Sequence, residues 1–312
     1  MKILVCGEAL LDVFAAAQDT PTGLQLDARV GGSPFNVALG LARMGRPVAL
    51  FGGISTDFLG ARLLRALASE GVDTAAIVRV DAPTTLSLVG LDETGQPSYS
   101  FYGHGTADRS VDGLALATLA SDWAAIHLGS YAMVVDPTAA TLRRLVERQR
   151  ATSLIAYDPN VRLSVEPDLG AWRTVLHWML RRAHVVKVSS EDLEALEPGT
   201  SADQFARRAL ACGVRLVVVT RGGEGASAWA EAAHAEVPAV PLPVVDTVGA
   251  GDTFQAALLT WLAEQGRLGP EACRAWAPHD LRALLRFASQ AAAITCSRRG
   301  ADLPRRDELP PG

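Results

Sequence analysis

Short runs of apolar and β-branched residues alternate along the chain with longer stretches in which apolar residues recur at helical spacing. The short runs are typical of buried strands, and the longer stretches are typical of amphipathic helices. Because strands that alternate with helices join into parallel sheets covered on both faces, the pattern predicts an α/β fold with a mainly parallel sheet. The predicted strands are Ile3–Cys6, Pro47–Phe51, Ala125–Leu128, Leu154–Tyr157, Val185–Val188 and Leu216–Thr220, and the predicted helices are Ser33–Met44, Phe58–Ser69, Pro137–Arg150, Ala171–Arg182, Ala202–Ala211, Ala250–Glu264 and Asp280–Thr295.

Two regions interrupt this alternation. Residues 13–31 show no helical period, and residues 76–103 contain three runs that favour strands. The turn-forming residues 92–95 (Asp-Glu-Thr-Gly) join the last two runs into a predicted hairpin. We expect one domain over residues 1–312, in which these two regions form a small antiparallel sheet that acts as a lid over the strand ends. The alternative is an extra edge sheet without a mobile role. The three runs are Ala76–Val80, Thr85–Leu91 and Ser98–Tyr102.

The composition narrows the classes of partner. The chain has 312 residues, of which 49% are hydrophobic, with a net charge of −5 and a pI of about 5.7. This mild acidic excess argues against nucleic acid or an anionic membrane as the main partner. No apolar stretch reaches the roughly 18 residues of a membrane-spanning helix. Glu8 and Asp12 interrupt the apolar N-terminal run and argue against a signal peptide, and four scattered cysteines predict reduced thiols in a cytoplasmic protein.

Residues 246–254 (Asp-Thr-Val-Gly-Ala-Gly-Asp-Thr-Phe) carry the most specific chemical signal. They lead into the helix predicted to begin at Ala250, so Gly249 and Gly251 flank a helix N-terminus. Unpaired N–H groups and the positive end of the helix dipole favour an anion there, usually a phosphate. A carboxylate at Asp252 suits a base that accepts the proton of an attacking hydroxyl while the amides stabilise a transferred phosphoryl group. The alternative is a capped helix after a glycine-rich turn.

The chain contains neither a P-loop sequence nor the set of protein-kinase motifs. Polar residues instead follow several predicted strands, where carboxylate, amide and guanidinium groups suit a polyhydroxylated substrate. Each residue alone also has a structural interpretation, in which Ser33 caps a helix with Pro34 at its first position and Asp158 starts a turn. The segments concerned are Asp12, Gly31–Asn36, Asp158–Arg162 and the glycine-rich turn Gly222–Gly225.

Together these segments resemble the ribokinase-like, or pfkB, family of carbohydrate kinases over nearly the whole chain. Residues 31–38 are similar to the N-terminal signature of the family, and residues 246–254 are similar to its more specific C-terminal signature. The resemblance implies a three-layer α/β/α domain with a small β-lid, and a homodimer formed through the lid. It also implies an enzyme that transfers phosphate from ATP to a sugar hydroxyl.

The resemblance implies roles for individual residues as well. Asp252 is expected to be the catalytic base, with the amides of Gly249, Ala250 and Gly251 as the anion hole. Mg²⁺ is expected to arrive with ATP, and many members of the family also bind a monovalent cation such as K⁺. The N-x-x-E stretch that orders magnesium in ribokinases reads Ser-Ser-Glu-Asp at residues 189–192, which leaves open the carboxylate concerned. The expected residues are Asp12, Gly32, Asn36, Asn160 and Arg162 for the sugar; Ser189, Thr220, Gly222 and Gly225 for the nucleotide; Asp246, Val248, Thr295 and Gly300 for the monovalent cation; and Glu191 and Asp192 near magnesium.

Within the family the chain is most similar to fructokinases. Residues 7–12, 105–108 and 158–162 resemble fructokinase segments, so the expected reaction converts D-fructose to fructose 6-phosphate. One departure is Gly103-His104, which stands where fructokinases often have an arginine. Kinases of 2-keto-3-deoxygluconate share the pattern of residues 158–162, in which Arg162 suits a substrate carboxylate. They and other ribokinase-type sugar kinases are the alternative, and a non-catalytic sugar- or nucleotide-binding sensor is the remote one.

Overall fold

The computed structural model describes residues 2–20, 22–91 and 97–310. The strands within these ranges are β1 (Ile3–Cys6), β2 (Leu10–Thr20), β3 (Gly23–Gly31), β4 (Val48–Phe51), β5 (Gly53–Ser55), β6 (Val78–Val80), β7 (Leu86–Leu91), β8 (Pro97–Tyr102), β9 (Ala125–Gly129), β10 (Leu154–Asp158), β11 (Val185–Ser189), β12 (Leu216–Thr220), β13 (Ala226–Ala230) and β14 (Ala233–Val237). The α-helices are α1 (Ser33–Arg43), α2 (Phe58–Ser69), α3 (Gly113–Thr118), α4 (Thr138–Gln149), α5 (Leu169–Leu180), α6 (Ser190–Leu196), α7 (Ala202–Ala211), α8 (Ala250–Glu264) and α9 (Pro278–Cys296).

The main sheet has the strand order β14-β13-β12-β11-β10-β9-β1-β4. Neighbouring strands are parallel from β12 to β4, whereas β13 and β14 add an antiparallel edge. The central strands are buried on both faces, as expected of a parallel sheet that helices cover on each side. The mainly parallel sheet is therefore confirmed, and the antiparallel edge is an addition that the strand–helix alternation does not predict.

Two apolar cores lie on the two faces of the main sheet. One core packs α1, α2, α8 and α9 against strand side chains that include Val5, Val185 and Val218. The other core packs α4, α5 and α7 against side chains of the opposite face, which include Val186 and Val217. Successive residues of each strand thus serve different layers, as the pleat requires. This arrangement confirms the three-layer α/β/α architecture.

Local capping decides where the helices begin. Three predicted helices, α2, α7 and α8, have the predicted bounds. Helix α5 begins before Ala171, because the Asp168 carboxylate accepts a hydrogen bond from the Gly170 N–H (2.7 Å) and caps the helix. The short helices α3 and α6, which the hydrophobic pattern does not predict, follow side-chain caps at Asp112 and Ser189. No helix in the described part of the chain is long and apolar enough to cross a bilayer.

A second sheet with the order β3-β2-β7-β8 forms the lid. Strand β2 is antiparallel to β3, and β7 is antiparallel to β8, while β2 and β7 run parallel to each other. The predicted small lid sheet is therefore present, with one parallel pairing at its centre. The predicted turn at residues 92–95 lies outside the described residues.

The predicted strand Ala76–Val80 does not belong to the lid. Its extended part is β6, which pairs in parallel with β5 in a separate two-stranded sheet. The Val78 N–H donates to the Gly52 carbonyl (2.9 Å) and so continues this pairing next to the main sheet. The assignment of residues 76–80 to the lid sheet is thus wrong, because an alternating pattern identifies a strand but not its partner.

The lid is anchored to the main domain through the buried carboxylate of Asp108. This carboxylate accepts hydrogen bonds from the hydroxyls of Thr85, of Thr106 (2.8 Å) and of Tyr131 (2.9 Å). Thr85 precedes β7, Thr106 follows β8, and Tyr131 follows β9 of the main sheet. Because a buried carboxylate requires such partners, Asp108 fixes both ends of the lid hairpin against the main domain.

Candidate active site

The site lies where the parallel strands end and two helices begin. A Cβ added to Gly32, just before α1, would lie 2.9 Å from the Glu8 carbonyl at the end of β1. A Cβ added to Gly251, in the first turn of α8, would lie 3.3 Å from Lys187 Nζ in β11. The N-termini of α1 and α8 therefore meet at the carboxyl edge of the main sheet. This is the edge at which open α/β sheets bind ligands.

Asp252 lies in the first turn of α8 and is 8% exposed. One of its carboxylate oxygens accepts a hydrogen bond from Ser33 Oγ (2.6 Å), and the other accepts one from Asn36 Nδ2 (2.8 Å). Both donors lie in the first turn of α1. Because each oxygen has a partner, the carboxylate plane is fixed between the two helices while lone pairs remain for a ligand.

The predicted capping role of Ser33 is wrong. Gly32 occupies the N-cap position of α1, and no side chain caps this helix. The Ser33 hydroxyl points instead to Asp252, 219 residues later in the chain. The backbone of Gly32 has φ = 102°, a conformation that favours glycine. The close approach of the Glu8 carbonyl adds a second reason for glycine at this position.

The residues predicted for an anion hole lie where the loop before α8 enters the helix. Gly249 is the N-cap residue with φ = 79°, and a Cβ there would lie 2.7 Å from Ala301 Cβ. The Ala250 N–H donates to the Thr247 carbonyl at 3.2 Å. Within the described residues, the N–H groups of Gly251 and Asp252 have no hydrogen-bond acceptor. These two amides and the helix dipole give this end of α8 a positive potential.

Asp246 holds together the residues predicted for a monovalent-cation site. Its Oδ1 accepts from the Val248 N–H (3.0 Å), and its Oδ2 accepts from the Gly300 N–H (2.8 Å). Thr295 is bound to the same region through a hydrogen bond between its hydroxyl and that of Thr253 (2.8 Å). The structure therefore brings Asp246, Val248, Thr295 and Gly300 together beneath the loop that leads into α8.

Asp12 reaches the site from the lid. It lies in β2, opposite Arg29 of β3 and Ser87 of β7. Burial raises the pKa of its carboxyl above the ordinary value, while a hydrogen bond from Ser87 and the charge of Arg162 act in the opposite direction. The charge of Asp252 also raises the pKa of Asp12. The lid carboxylate is thus close enough to the base region to share its electrostatic field.

Asn160 and Arg162 lie in the loop that follows β10. Asn160 adopts φ = 43°, and its buried Nδ2 has no hydrogen-bond partner among the described residues. Arg162 is exposed, and its guanidinium donates to the carbonyl of Val161 (2.9 Å). Its charge nevertheless acts on the carboxyls of Asp12 and Glu8. Both side chains therefore retain donors that could serve a ligand.

The residues predicted for the nucleotide follow β11 and β12. Ser189 and Thr220 are direct partners at the ends of these strands. Gly222 has φ = 49° and an open surrounding, so an added Cβ would contact nothing within 4 Å. Gly225 has φ = 97°, and an added Cβ would lie 2.1 Å from the Val237 carbonyl. Close packing of the backbone therefore explains Gly225, whereas Gly222 leaves open space.

The two carboxylates predicted near magnesium have different environments. Glu191 is exposed, whereas Asp192 is half-buried and accepts from the Val161 N–H (3.2 Å). Burial, followed by the negative charge of Asp158, raises the pKa of Asp192 to about 6. Asp192 thus lies close to the negative charge of Asp158, and a bound cation would reduce the repulsion between the two carboxylates.

The sequence pattern of pfkB family carbohydrate kinases matches residues 1–308. The chain belongs to the pfkB family of carbohydrate kinases. This kinase is 38% identical to a fructokinase of Rhizobium leguminosarum bv. trifolii over 261 residues, which cover 83% of this chain and 79% of the relative. It is 32% identical to the probable fructokinase-3 of Arabidopsis thaliana over 310 residues, or 96% of this chain and 87% of the relative.

A solved structure with a similar fold also carries the name fructokinase. The crystal structure of fructokinase with bound ATP from Xylella fastidiosa matches with a TM-score of 0.86 and 30% sequence identity, and the match covers 99% of this chain and 95% of that one. The ribokinase-like fold and the pfkB membership implied by the sequence are confirmed. The protein is thus a sugar kinase, a phosphotransferase with an alcohol group as acceptor.

The kinase site contains two buried polar residues that the motifs do not identify, His127 and Lys187, beside Asp158 of the segment 158–162. His127, Asp158 and Lys187 project from three adjacent central strands beneath the first turn of α8. Gln255 of α8 contacts the His127 ring (3.3 Å). The sequence points to Asp158 through the segment 158–162, and to Lys187 through the presence of a charged residue inside the apolar run Val185–Ser189.

Glu8 is a further buried carboxyl beside the kinase site. It is 1% exposed, and its Oε2 lacks a hydrogen-bond partner among the described residues. Burial raises the pKa of Glu8 to about 8, although a hydrogen bond from Ser130 acts in the opposite direction. Glu8 is therefore largely protonated at neutral pH and can donate a hydrogen bond.

Replacing this carboxyl with Glu8→Gln is expected to remove a pH dependence of stability. Between the ordinary pKa of 4.5 and the folded value of about 8, the native state holds a proton that the unfolded chain has lost. The free energy of unfolding should therefore fall as the pH rises through this window, by about 1.4 kcal/mol per pH unit. Urea unfolding from about pH 5 to about pH 9 measures the fall, with exposed Glu231→Gln as control. Parallel curves for wild type and Glu8→Gln would show that Glu8 is ionised in the native state.

Proposed function

We propose that this pfkB kinase is an ATP-dependent fructokinase that converts D-fructose to fructose 6-phosphate. The observation that carries the proposal is the buried Asp252 carboxylate, held by Ser33 and Asn36 beside free amides at the start of α8. A base next to an anion-binding helix N-terminus is the arrangement that phosphoryl transfer to a hydroxyl requires. The names of the relatives support fructose as the acceptor.

In the proposed reaction the oxygen of a sugar hydroxyl attacks the γ-phosphorus of ATP. Asp252 accepts the hydroxyl proton as the new P–O bond forms. The bond between the γ-phosphorus and the bridging oxygen breaks, and ADP leaves with the bonding electrons. The amides at Gly249, Ala250 and Gly251 stabilise the negative charge of the transferred group. The 3.2 Å bond between Ala250 N–H and Thr247 is long enough to be exchanged for a phosphate oxygen.

The sugar is proposed to lie between the lid and the carboxyl edge of the main sheet. Asp12 contacts it from the lid, while Gly32 and Asn36 contact it from the start of α1. The unpaired Nδ2 of Asn160 and the exposed guanidinium of Arg162 supply further donors. A polyhydroxylated ligand needs such a mixture of acceptors and donors on several sides.

The nucleotide is proposed to lie over the ends of β11 and β12, next to Ser189, Thr220, Gly222 and Gly225. The related structure with bound ATP supports ATP as the phosphate donor. Free cysteines throughout the chain suit a cytoplasmic enzyme that meets ATP in a reducing compartment.

Two cations fit the residues present. The half-buried Asp192, whose pKa the neighbouring Asp158 helps to raise, suits magnesium better than the exposed Glu191. When bound with ATP, magnesium supplies positive charge that offsets the charge of the phosphates. For a monovalent cation, Asp246 and the backbone carbonyls nearby are the hard oxygen donors that potassium prefers. The carbonyl ligands would come from Val248, Thr295 and Gly300.

A kinase of 2-keto-3-deoxygluconate is the second candidate. The observation in its favour is Arg162, whose guanidinium has a backbone carbonyl as its acceptor in this structure and is free to bind a substrate carboxylate. The same chemistry at Asp252 would serve this sugar acid. The two candidates therefore differ in the sugar and share the base.

Asp252→Asn is expected to lower kcat by about 10²- to 10⁴-fold, because the amide cannot accept the hydroxyl proton. The affinity for fructose should change little, since asparagine retains the shape of the side chain. ADP release measures kcat, and calorimetric titration measures sugar binding. Asp122→Asn, which changes an exposed carboxylate before β9, serves as the control. Wild-type turnover in Asp252→Asn would remove Asp252 as the base.

A panel of sugars decides between the two candidates. ADP release from MgATP is measured with fructose, ribose, 2-keto-3-deoxygluconate and a nucleoside, in the presence of potassium. We expect the highest kcat/KM with fructose. Arg162→Lys should lower kcat/KM more for the keto acid than for fructose, because lysine loses bidentate pairing with a carboxylate. A preference of the wild type for the keto acid would overturn the fructokinase proposal in favour of the second candidate.

The proposed homodimer rests on the outer face of the lid. Cross-strand pairing places Val30, Leu11, Leu86 and Tyr102 in one row, and the row ends in a Tyr102 that is 60% exposed. Leu26 is on the same face and is 46% exposed. Leu11 is already buried within the chain, so the exposed part of this face, at Leu26 and Tyr102, is the apolar surface proposed for the interface.

Leu26→Asp is therefore expected to shift the protein from dimer to monomer at micromolar concentration. A buried aspartate at the centre of an apolar interface would lack a partner and oppose pairing. Light scattering after size exclusion measures the mass. Leu114→Asp, which changes a leucine that is 79% exposed in α3, is the matched control and should leave the mass unchanged. A wild type that is monomeric in this assay would exclude the lid dimer.

A further inference from the structure

Nearly all basic residues of the chain are arginine, and one of the few lysines is buried. Of its 29 basic residues, 27 are arginine, and lysine occurs at positions 2 and 187 alone. Lys2 is a partly exposed residue that pairs with Asp73 (2.6 Å). Lys187 lies in the middle of β11 and is 4% exposed. A buried lysine in a chain that otherwise uses arginine indicates a requirement for a compact ammonium group.

Lys187 has one partner and spare donors. Its Nζ donates to Asp158 Oδ2 (2.6 Å) on the neighbouring strand β10. An ammonium group has three N–H donors, and in the described structure Asp158 is the single acceptor that Lys187 reaches. The second carboxylate oxygen of Asp158 is buried and lacks a hydrogen-bond partner among the described residues. A pair that merely neutralised itself inside the fold would be expected to satisfy these atoms.

The ammonium lies directly under the proposed anion hole. A Cβ on Gly251 would lie 3.3 Å from Lys187 Nζ, so the absence of a side chain at this position leaves the ammonium next to the backbone of the first helical turn. The charges of Lys187 and Asp252 both act on the pKa of the neighbouring His127. Burial, followed by the positive charge of Lys187, lowers its pKa to about 3, and Asp252 acts in the opposite direction. Lys187 and Asp252 therefore flank the same point from the sheet and from the helix.

We propose that Lys187 is a catalytic residue whose ammonium binds a peripheral oxygen of the phosphoryl group during its transfer. This inference rests on the proposed function of the site. The bonds that form and break are those of the proposed reaction, and Lys187 takes no part in the proton transfer. Its charge adds to the amides of Gly251 and Asp252 at the place where negative charge lies in the transition state. Lysine suits this position because an ammonium is a compact point charge, whereas a guanidinium spreads its charge over a planar fork.

The two lysines of the chain permit a direct test of contact. Protein labelled with ¹³C,¹⁵N-lysine gives two lysine side-chain signals, which Lys2→Arg assigns. Addition of MgADP, aluminium fluoride and the best sugar of the panel mimics the transferring group. We expect the Lys187 Cε and Nζ signals to shift strongly, to shift less with MgADP alone, and the Lys2 signals to stay unchanged. An unchanged Lys187 signal in a complex that calorimetry shows to be saturated would overturn the proposal.

A double variant separates catalysis from charge neutralisation. Lys187→Met leaves the Asp158 carboxylate buried without a partner, so a loss of activity in this variant alone would have a structural explanation. Lys187→Met combined with Asp158→Asn removes both charges and is expected to recover the thermal stability. Its kcat should remain about 10²- to 10³-fold below that of Asp158→Asn alone, because the ammonium is still absent. Equal kcat values for these two variants would show that Lys187 serves Asp158 and not the phosphoryl group.

The outcomes also separate this inference from the proposed function. Absence of ADP release by the wild type with every sugar of the panel would contradict the fructokinase proposal. Normal activity of the wild type, loss in Asp252→Asn, and full activity in the double variant would contradict the role of Lys187 alone. Conversely, a Lys187 shift together with a preference for a sugar acid would support Lys187 and reassign the substrate.

Discussion

The contact of Asp252 with the first turn of α1 is the constraint on which the site depends. A carboxylate in the first turn of a helix normally bonds to the N–H groups of its own helix. Here both oxygens are occupied by Ser33 and Asn36, so the amides at the start of α8 stay free. The left-handed backbone of Gly249 and its close packing against Ala301 hold the loop in this position. Carboxylate and amides are thus separately available within one helical turn, because a second helix supplies the partners of the carboxylate.

Buried charged side chains of the main sheet occur together, at Asp158 and Lys187. Most side chains of its central strands are apolar and fully buried, and charge in such a layer is costly unless it is paired. Asp158 and Lys187 nevertheless form a pair on neighbouring strands of the face that meets α8, and His127 lies on the same face two residues earlier in the register. The pair lies towards the carboxyl ends of the parallel strands, next to the backbone of Gly251. Apolar residues of similar size would pack there without any desolvation penalty, so stability alone does not explain this polar group at the start of α8.

Hydrophobic periodicity predicted the elements and the layer architecture, because burial on one helix face or on both sheet faces leaves a local signature in the sequence. The identity of a strand's partner leaves no such signature. The pattern therefore identified β6 as a strand but could not show that it pairs with β5 outside the lid sheet. The same limit applies to the site. The glycines and the aspartate of residues 246–254 predict a helix start suited to phosphate, and the structure has helix α8 begin at Ala250. Ser33, by contrast, has the local sequence of a cap, and its actual partner lies 219 residues away. Lys187 depends on a cross-strand neighbour in the same way, so that motifs alone could not have assigned either residue.

In the lid, the two-residue period of strand β2 places its side chains on two different faces of the sheet. Alternate residues of β2 face opposite sides, so Asp12 with Ser87 lies on one face of the lid while Leu11 and Val13 belong to the opposite, apolar face. A shift of register by one residue would exchange the two faces and destroy both. The hydroxyls bound to Asp108 oppose such a shift, because they fix both ends of the β7–β8 hairpin to Tyr131 of the main domain. Whatever covers the outer face of the lid therefore also restrains the position of Asp12. The position of Asp12 and the packing of the apolar lid face are consequently coupled through the pleat of a single small sheet.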